Sequence, residues 1–394
     1  MNTSVVGNDT GAPTSSLGGM FWASMFILAE ATIALIVNLY LLFATRWLRK
    51  PVTVTLLLCV SLTASDALCA LCYMSSMIID VLLPQAYDRQ TFVSNCWSLL
   101  LEACKLAAFL ASVLHLLALA LNHYIGIVHP LRRQIVTRGS VRAAIVVAYA
   151  LPLVAFLLVF SAVPDLGFRA PRAWAFFRID GCESNAMNQM LAYRLFVVAP
   201  FITFVVIVTY LYAGILIHLR QTRQETLIIR SVSTRSESNN RRSDRKLLFT
   251  LILLAGSAVV GWLPTMVNFI IICRKCVLPL SGTVAIIIGF ATQALNILKL
   301  IIDAFIYASR LVEIRYALWA MHSDFRKCIT GYQLATDGVP REFHRYLNET
   351  KDTRMSPFER SIANASRKSV SISAHDSQKN RSHSKLDQSP STAL

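Results

Sequence analysis

The stretch LNHYIGIVHPLRR, from Leu121 to Arg133, decides how the rest of the chain is read. A long apolar run closes on Asn122, His123 and Tyr124, passes through Pro130 and ends in two arginines. That is how a helix leaves a bilayer on the side where cations collect. Working outward, the 394-residue chain is 55% apolar, and its apolar residues fall in blocks, not at amphipathic spacing. The blocks are Phe21 to Thr45, Thr53 to Leu83, Phe92 to Tyr124, Ala143 to Val163, Met190 to Leu219, Leu247 to Cys273 and Leu280 to Tyr307. Each exceeds the roughly 20 residues that a membrane helix needs. Seven such helices would require a soluble shell that this composition does not contain, so an all-α membrane protein is expected.

Charge sets the expected orientation. Arg46, Arg49 and Lys50 follow span one, Arg132, Arg133, Arg138 and Arg142 follow span three, and the RRSDRK run to Lys246 follows span five. Acids and bases balance after spans two and four, while Arg274 and Lys275 in the last outer loop run against the trend. The N-terminus is therefore expected outside and the tail in the cytoplasm. The net charge of +16 needs no nucleic acid to explain it. No charged leader precedes the first block, so span one is expected to act as its own insertion signal. Asn8-Asp9-Thr10 is a glycosylation acceptor on the outer side, as is Asn2-Thr3-Ser4 nearer the terminus, whereas Asn348 and Asn364 fall on the inner side.

The nine cysteines are not a disulfide scaffold. Cys59, Cys69, Cys72 and Cys104 lie inside spans and read as small packing residues. Cys96 opens span three and Cys182 follows span four, both on the oxidising side, which makes them the leading disulfide pair. Cys273 and Cys276 form a second, local candidate. The CRKC pair lacks the further ligands a zinc ion would require, so neither a metal nor another cofactor is expected.

An ionisable group in hydrocarbon costs about 2.5–3.5 kcal/mol on insertion scales, so it normally faces a partner in the bundle interior. Glu30, Asp66, Glu102, Lys105, Arg194, Lys299 and Asp303 are the groups in question. Glu102, Lys105 and Arg194 lie near helix ends, where long side chains can reach the interface. Asp66 and Lys299 are deep, and that explanation does not serve them.

Several motifs then fall in a familiar order. Asn38 lies in IVNLYLL, Asp66 in SLTASDAL and Ser112 in FLASVLHLL. NHYIGIVHPL follows, then Pro200, then GWLP at Gly261 to Pro264. DAFIY at Asp303 to Tyr307 precedes EIR at Glu313 to Arg315. From about Phe21 to Met321 the chain resembles the rhodopsin-like, or class A, G-protein-coupled receptors. The resemblance implies a seven-transmembrane helix bundle with a short amphipathic eighth helix, and an internal polar network of Asn38, Asp66, Ser112, Lys299, Asp303 and Tyr307. It implies no enzyme activity. It implies a plasma-membrane receptor for an extracellular ligand of unknown identity, with a heterotrimeric G protein as inner partner and a receptor kinase and arrestin as regulators.

The chain also departs from that family. Asn122 and His123 stand where an acid and an arginine are usual, with Asp244 at the acidic position of helix six. A neutral imidazole cannot make the bidentate contact of a guanidinium, although a protonated one could pair singly with Asp244. Gly261 replaces a cysteine, Ala258 a phenylalanine, Val208 a tyrosine and Ala304 a proline, and helix four carries Tyr149 but no tryptophan. These changes put ordinary G-protein coupling in question. The rival expectation is a receptor-like seven-span protein acting through arrestin, adhesion or trafficking.

Lys299 falls where the family has an asparagine that helps the helix-two aspartate bind sodium. It is expected either to serve as a tethered substitute for sodium beside Asp66, or to pair with Asp303 at i,i+4. The two can coexist. The retinal-bearing lysine of opsins would lie at Ile297, and a shift of two residues turns a side chain by about 200°, which argues against light sensing. Lys105 occupies the place of the amine-binding aspartate of monoamine receptors. Lys105 and Arg194 against Glu102 suggest an anionic ligand, or else Lys105 pairs with Glu102 and Arg194 reaches the interface. Tyr193, Trp262, Phe269, Gln293 and Asn296 complete the expected ligand wall, with Trp262 as the sensor. No repeat or broken helix suggests a transporter, and no repeated polar lining suggests a channel.

Residues 1–20 are expected to form an outer terminus, 21–321 the receptor domain and 322–394 a disordered cytoplasmic tail. Tyr316, Leu318 and Trp319 suit a membrane-surface helix, and Cys328 is a candidate palmitoylation site. SRKSVSISAHDSQKNRSHSK, from Ser366 to Lys385, places serines beside basic residues. Phosphorylation there would create an arrestin-binding segment.

Overall fold

The structure is a computed structural model that describes residues 14–84, 95–174, 182, 190–229, 238–271, 282–330 and 339–354. The seven apolar blocks are helices, each long and apolar enough to cross a membrane. They are α1 (Thr14–Ala44), α2 (Val54–Ser76), α3 (Asn95–Val128), α4 (Arg138–Phe160), α5 (Leu191–Ile229), α6 (Ser238–Ile271) and α7 (Gly282–Arg310). An eighth, α8 (Val312–Thr330), follows at once. It runs beyond the point where the receptor domain was expected to end, because its polar residues keep helical spacing as far as Cys328.

Local chemistry starts and bends these helices. The Thr53 hydroxyl accepts from Leu56 N–H at 3.2 Å, capping the free donors of α2. Thr137 and Ser140 form a reciprocal capping box at the head of α4. Pro152, Pro200 and Pro264 lie inside helices, where each removes one backbone donor and favours a bend. At its far end α2 widens into a π-helical turn, Met77–Leu82. This turn presents Asp80 to the hydroxyls of Ser76 and Ser98, both at 2.7 Å, and so ties the end of α2 to the start of α3. Cys96, in the first turn of α3, is disulfide-bonded to Cys182.

The helices close a ring in which α1 touches α2 and α7, α7 touches α6 and α6 touches α5. Within it α3 packs against α2, α4 and α5 and is the most central element. Small residues line its inner side: Ala103, Ala107, Ala108, Ala111 and Ser112 are all buried. Large apolar side chains point outward instead, among them Trp22, Phe26, Val146, Leu158, Tyr210 and Phe305. That inversion of a soluble protein's pattern is what a lipid solvent allows.

A second compact unit comprises residues 49–52 and the described residues from Ser323 onward. It contains a helix that sequence reading assigned to no element, α9 (Arg341–Arg354), with Phe343 buried. Pro340 sits just before its first residue and its carbonyl accepts from Phe343 N–H at 2.9 Å. The charged segment that follows is helical by i,i+3 and i,i+4 spacing, a signal that its low apolar content concealed.

Candidate functional site

The polar residues of α2, α3, α6 and α7 converge on one ammonium. Lys299 Nζ lies 2.8 Å from Asp303 Oδ2, 3.5 Å from Asp66 Oδ1 and 3.2 Å from Ser112 Oγ. The ammonium thus hydrogen-bonds to Asp66 and Ser112 and forms an ion pair with Asp303. Ser112 donates to Asp66 Oδ1 at 2.6 Å, and Ser257 of α6 donates to Asp303 Oδ1 at 2.7 Å. Asp66, Ser112, Lys299 and Asp303 are all buried. Both expected partners of Lys299 are therefore present, Asp303 the nearer. Asn38 supports the cluster from α1 by donating to the Leu300 carbonyl at 3.2 Å.

Gly261 explains how a lysine fits here. A Cβ built on it would come within 2.6 Å of Lys299 Cβ and 2.9 Å of Cγ, closer than real carbon atoms approach. The missing side chain on α6 is the space that the lysine stem occupies on α7. Two departures from the family pattern, Gly261 and Lys299, are complementary halves of one contact. The next residue, Trp262, places its ring 4.3 Å from the ammonium, a cation–π contact in a desolvated site.

A cavity of about 270 Å³ opens toward the disulfide end of the bundle. Of the expected ligand-binding residues, Glu102, Lys105, Phe269, Gln293 and Asn296 line it. Tyr193, Arg194 and Trp262 are not among the lining residues. Tyr193 packs on Phe160 with ring centroids 5.5 Å apart. Arg194 donates to the Phe269 carbonyl at 2.7 Å and lies over its ring. Lys105 forms an ion pair with Glu102 one turn away, and its ammonium faces the Tyr73 ring at 5.5 Å. Tyr73, Leu106, Phe109, Val197, Thr265 and Met266 complete the wall and were not anticipated. Phe109 forms the link downward, edge-on to Trp262 with centroids 5.5 Å apart.

A separate polar network ties α2, α3 and α4. His115 pairs with Ser61 Oγ at 2.8 Å, Tyr149 donates to the Ser61 carbonyl at 2.7 Å, and the two rings lie 4.8 Å apart. Tyr149 thus anchors α4 in a way the sequence alone did not reveal.

At the opposite end, Asn122 donates to Thr55 Oγ1 at 3.0 Å. The Nδ1 atom of His123 is buried without a hydrogen-bond partner among the described residues. The Tyr124 ring packs so closely on Gly214 that a Cβ there would lie 3.2 Å from it. Pro130 opens a 3₁₀ turn, Pro130–Ile135, on the exposed surface. Asp244 lies in α6, but its side chain is outside the described residues, as are Asn8, Cys273 and Cys276 entirely. Tyr212 faces inward beside Val208 where Tyr210 is exposed, while Tyr307 is buried on α7. Cys328 is exposed on α8.

Seven membrane-length helices, a disulfide from the head of α3, and a cavity linked through Phe109 to a tryptophan above a buried ionic core define a heptahelical receptor. The chain belongs to the 7 transmembrane receptor (rhodopsin family), whose family model matches residues 37–302. The match starts one residue before Asn38 and stops one residue before Asp303, where DAFIY begins. No individual curated protein matches the sequence.

Proposed function

We propose that this protein is a cell-surface receptor, with its N-terminus outside and its tail in the cytoplasm, that carries ligand binding in the cavity to a heterotrimeric G protein. One observation supports this reading above others, a continuous run of contacts from Phe109 in the cavity wall through Trp262 to Lys299. Lys299 in turn touches groups on α2, α3 and α7, and Asp303 binds Ser257 on α6. A ligand that shifts Phe109 displaces Trp262 against the ammonium and loosens the joint between α6 and α7. Packed interfaces of this kind respond by switching between arrangements.

The cluster is a poor fit for the sodium ion that such receptors hold beside the helix-two aspartate. The Lys299 ammonium already uses Asp66 Oδ1 and Ser112 Oγ. A covalently attached cation therefore supplies the compensating charge, and the receptor works without sodium.

Two observations favour a second reading, signalling through arrestin, adhesion or trafficking without G-protein activation. His123 lacks the guanidinium fork, and Asn122 is engaged by Thr55. The basic, serine-rich segment from Ser366 to Lys385 supplies the substrate for a receptor kinase on either reading. Nucleotide exchange measured across the classes of heterotrimeric G protein, in membranes with and without the receptor, separates the two. Exchange above background in at least one class supports the first. Background rates in every class, with arrestin recruitment intact, would replace it with the second.

A further inference from the structure

The sequence left open either an anionic ligand at Lys105 and Arg194 or a pairing of Lys105 with Glu102 and Arg194 reaching the interface. The structure engages both cations. Lys105 is tied to Glu102, so the pair presents no net charge to the cavity, and Arg194 is committed to the carbonyl and ring of Phe269. The unpartnered polar atoms in the cavity wall are of the opposite kind. Gln293 Oε1 and Asn296 Oδ1 are buried acceptors without a hydrogen-bond partner among the described residues. The amide of Asn296, fully buried, spends its Nδ2 on the Tyr73 hydroxyl at 2.8 Å and leaves its oxygen open. Gln293 and Asn296 are three residues apart on α7 and so share a helix face.

We infer that the cavity takes a compact, neutral ligand that donates hydrogen bonds, such as a primary amide, alcohol or phenol, to Gln293 Oε1 and Asn296 Oδ1. The ligand's apolar body rests on Phe109, Leu106, Val197 and Met266. A carboxylate gains nothing here, because it brings acceptors to acceptors and finds both cations engaged. An amine gains little, because the Glu102 carboxylate is already neutralised. The cavity is at the small end of the range for ligand sites, which limits the ligand to a single ring or a chain of similar bulk.

The inference rests on the cavity being the ligand site, and the test separates the two. The full-length receptor in nanodiscs is titrated with four matched probes, benzamide, N,N-dimethylbenzamide, benzoate and benzylamine, by saturation-transfer NMR. Benzamide is expected to bind about tenfold more tightly than its dimethyl analogue, the worth of one or two satisfied acceptors. Benzoate and benzylamine should be weaker still. Gln293→Leu, a half-buried position less apt to disturb folding than Asn296, should bring benzamide down to the level of the dimethyl analogue. Asn296→Leu should do the same where it folds. Benzoate or benzylamine binding best would overturn the ligand class while leaving the cavity as the site. Binding of none of the four, or binding unaffected by Gln293→Leu and by the bulkier Leu106→Trp, would remove the cavity itself from consideration.

Discussion

The two halves of α7 differ in what their buried polar groups face. Toward the disulfide end, Gln293 and Asn296 keep buried carbonyl oxygens, without partners among the described residues, on the wall of a cavity. One and two turns further on, Lys299 and Asp303 are buried in an ionic cluster, with the ammonium within 3.5 Å of oxygens of Asp303, Asp66 and Ser112. Unsatisfied acceptors on a cavity wall carry a standing cost that a ligand can remove, whereas a buried ion pair resists change because separating its charges is costly. One helix thus supplies both the receptive surface and the element that surface must disturb, with Trp262 between them.

The most disruptive way to break this comparison is to remove the ammonium. Lys299→Met leaves Asp66 and Asp303 facing each other in a buried site, and stripping one partner from such a group costs about 3–5 kcal/mol. We expect surface delivery to collapse, and thermal unfolding of the solubilised protein to move sharply downward. Asp66→Asn with Asp303→Asn in the same chain should restore much of the loss, since neutral amides tolerate a missing cation. A single Lys299→Met variant that unfolds like the wild type would mean the cluster contributes nothing to stability.

A smaller effect is expected from Gly261→Cys, which restores the residue the family pattern has there. Its Cβ would collide with the Lys299 stem, so α6 and α7 must separate at a cost of about 1–3 kcal/mol. Loosening that joint should also raise basal signalling at equal surface expression. Gly256→Ala on the same helix is the control, because nothing lies within 4 Å of a Cβ at that position. It should be neutral or stabilise by up to about 1 kcal/mol through helix propensity. Equal behaviour of the two variants would show that the close approach of α6 to α7 does not depend on a glycine.

These positions also mark what the sequence could and could not disclose. Long apolar blocks are visible because a membrane helix must be apolar over its whole length, and all seven became helices. Lys299 stood out because a charge so deep in hydrocarbon demands a partner, and motif order pointed to Asp66. Gly261 gave no such sign: a missing side chain reports a close approach only when the opposing residue is known. Tyr73, Phe109 and Met266 escaped notice for a related reason. In a membrane protein, apolar side chains that face a cavity look the same in sequence as those that face lipid. For the charge of the ligand site the sequence left two readings open; the Lys105–Glu102 pair is one that i,i+3 spacing offered, whereas the turn of Arg194 onto Phe269 had no signal in the sequence.

Ser257→Ala tests the α6 side of the cluster more gently. It removes one hydrogen bond to the Asp303 carboxylate, made at 2.7 Å, and leaves the ion pair with Lys299 in place. A bond to a charged group contributes about 1.5–3 kcal/mol, and the remaining contacts should hold the loss near the lower figure. The expected signature is a modest fall in thermal stability with unchanged probe binding in the cavity, because Ser257 does not line it. Loss of binding along with stability would show that the two halves of α7 are not separable.

The smallest effect expected is none at all, and it bears most directly on what Lys299 does. A sodium ion between α2, α3 and α7 needs the oxygens of Asp66 and Ser112, and the Lys299 ammonium stands within 3.5 Å and 3.2 Å of them. Two cations so close repel strongly in a buried site, where screening by water is weak. Thermal stability and signalling should therefore be the same in sodium chloride as in N-methylglucamine chloride of equal ionic strength. The ionic strength must be matched because surface charges respond to any salt, and this chain carries a net charge of +16. The same comparison in the Lys299→Met variant, where expression permits, should uncover a stabilisation by sodium that the wild type lacks, because the carboxylates are then without a cation. A sodium-specific gain in the wild type that disappears in Asp66→Asn would show that ion and lysine share the site. The tethered cation would then be an addition to the sodium, not its replacement.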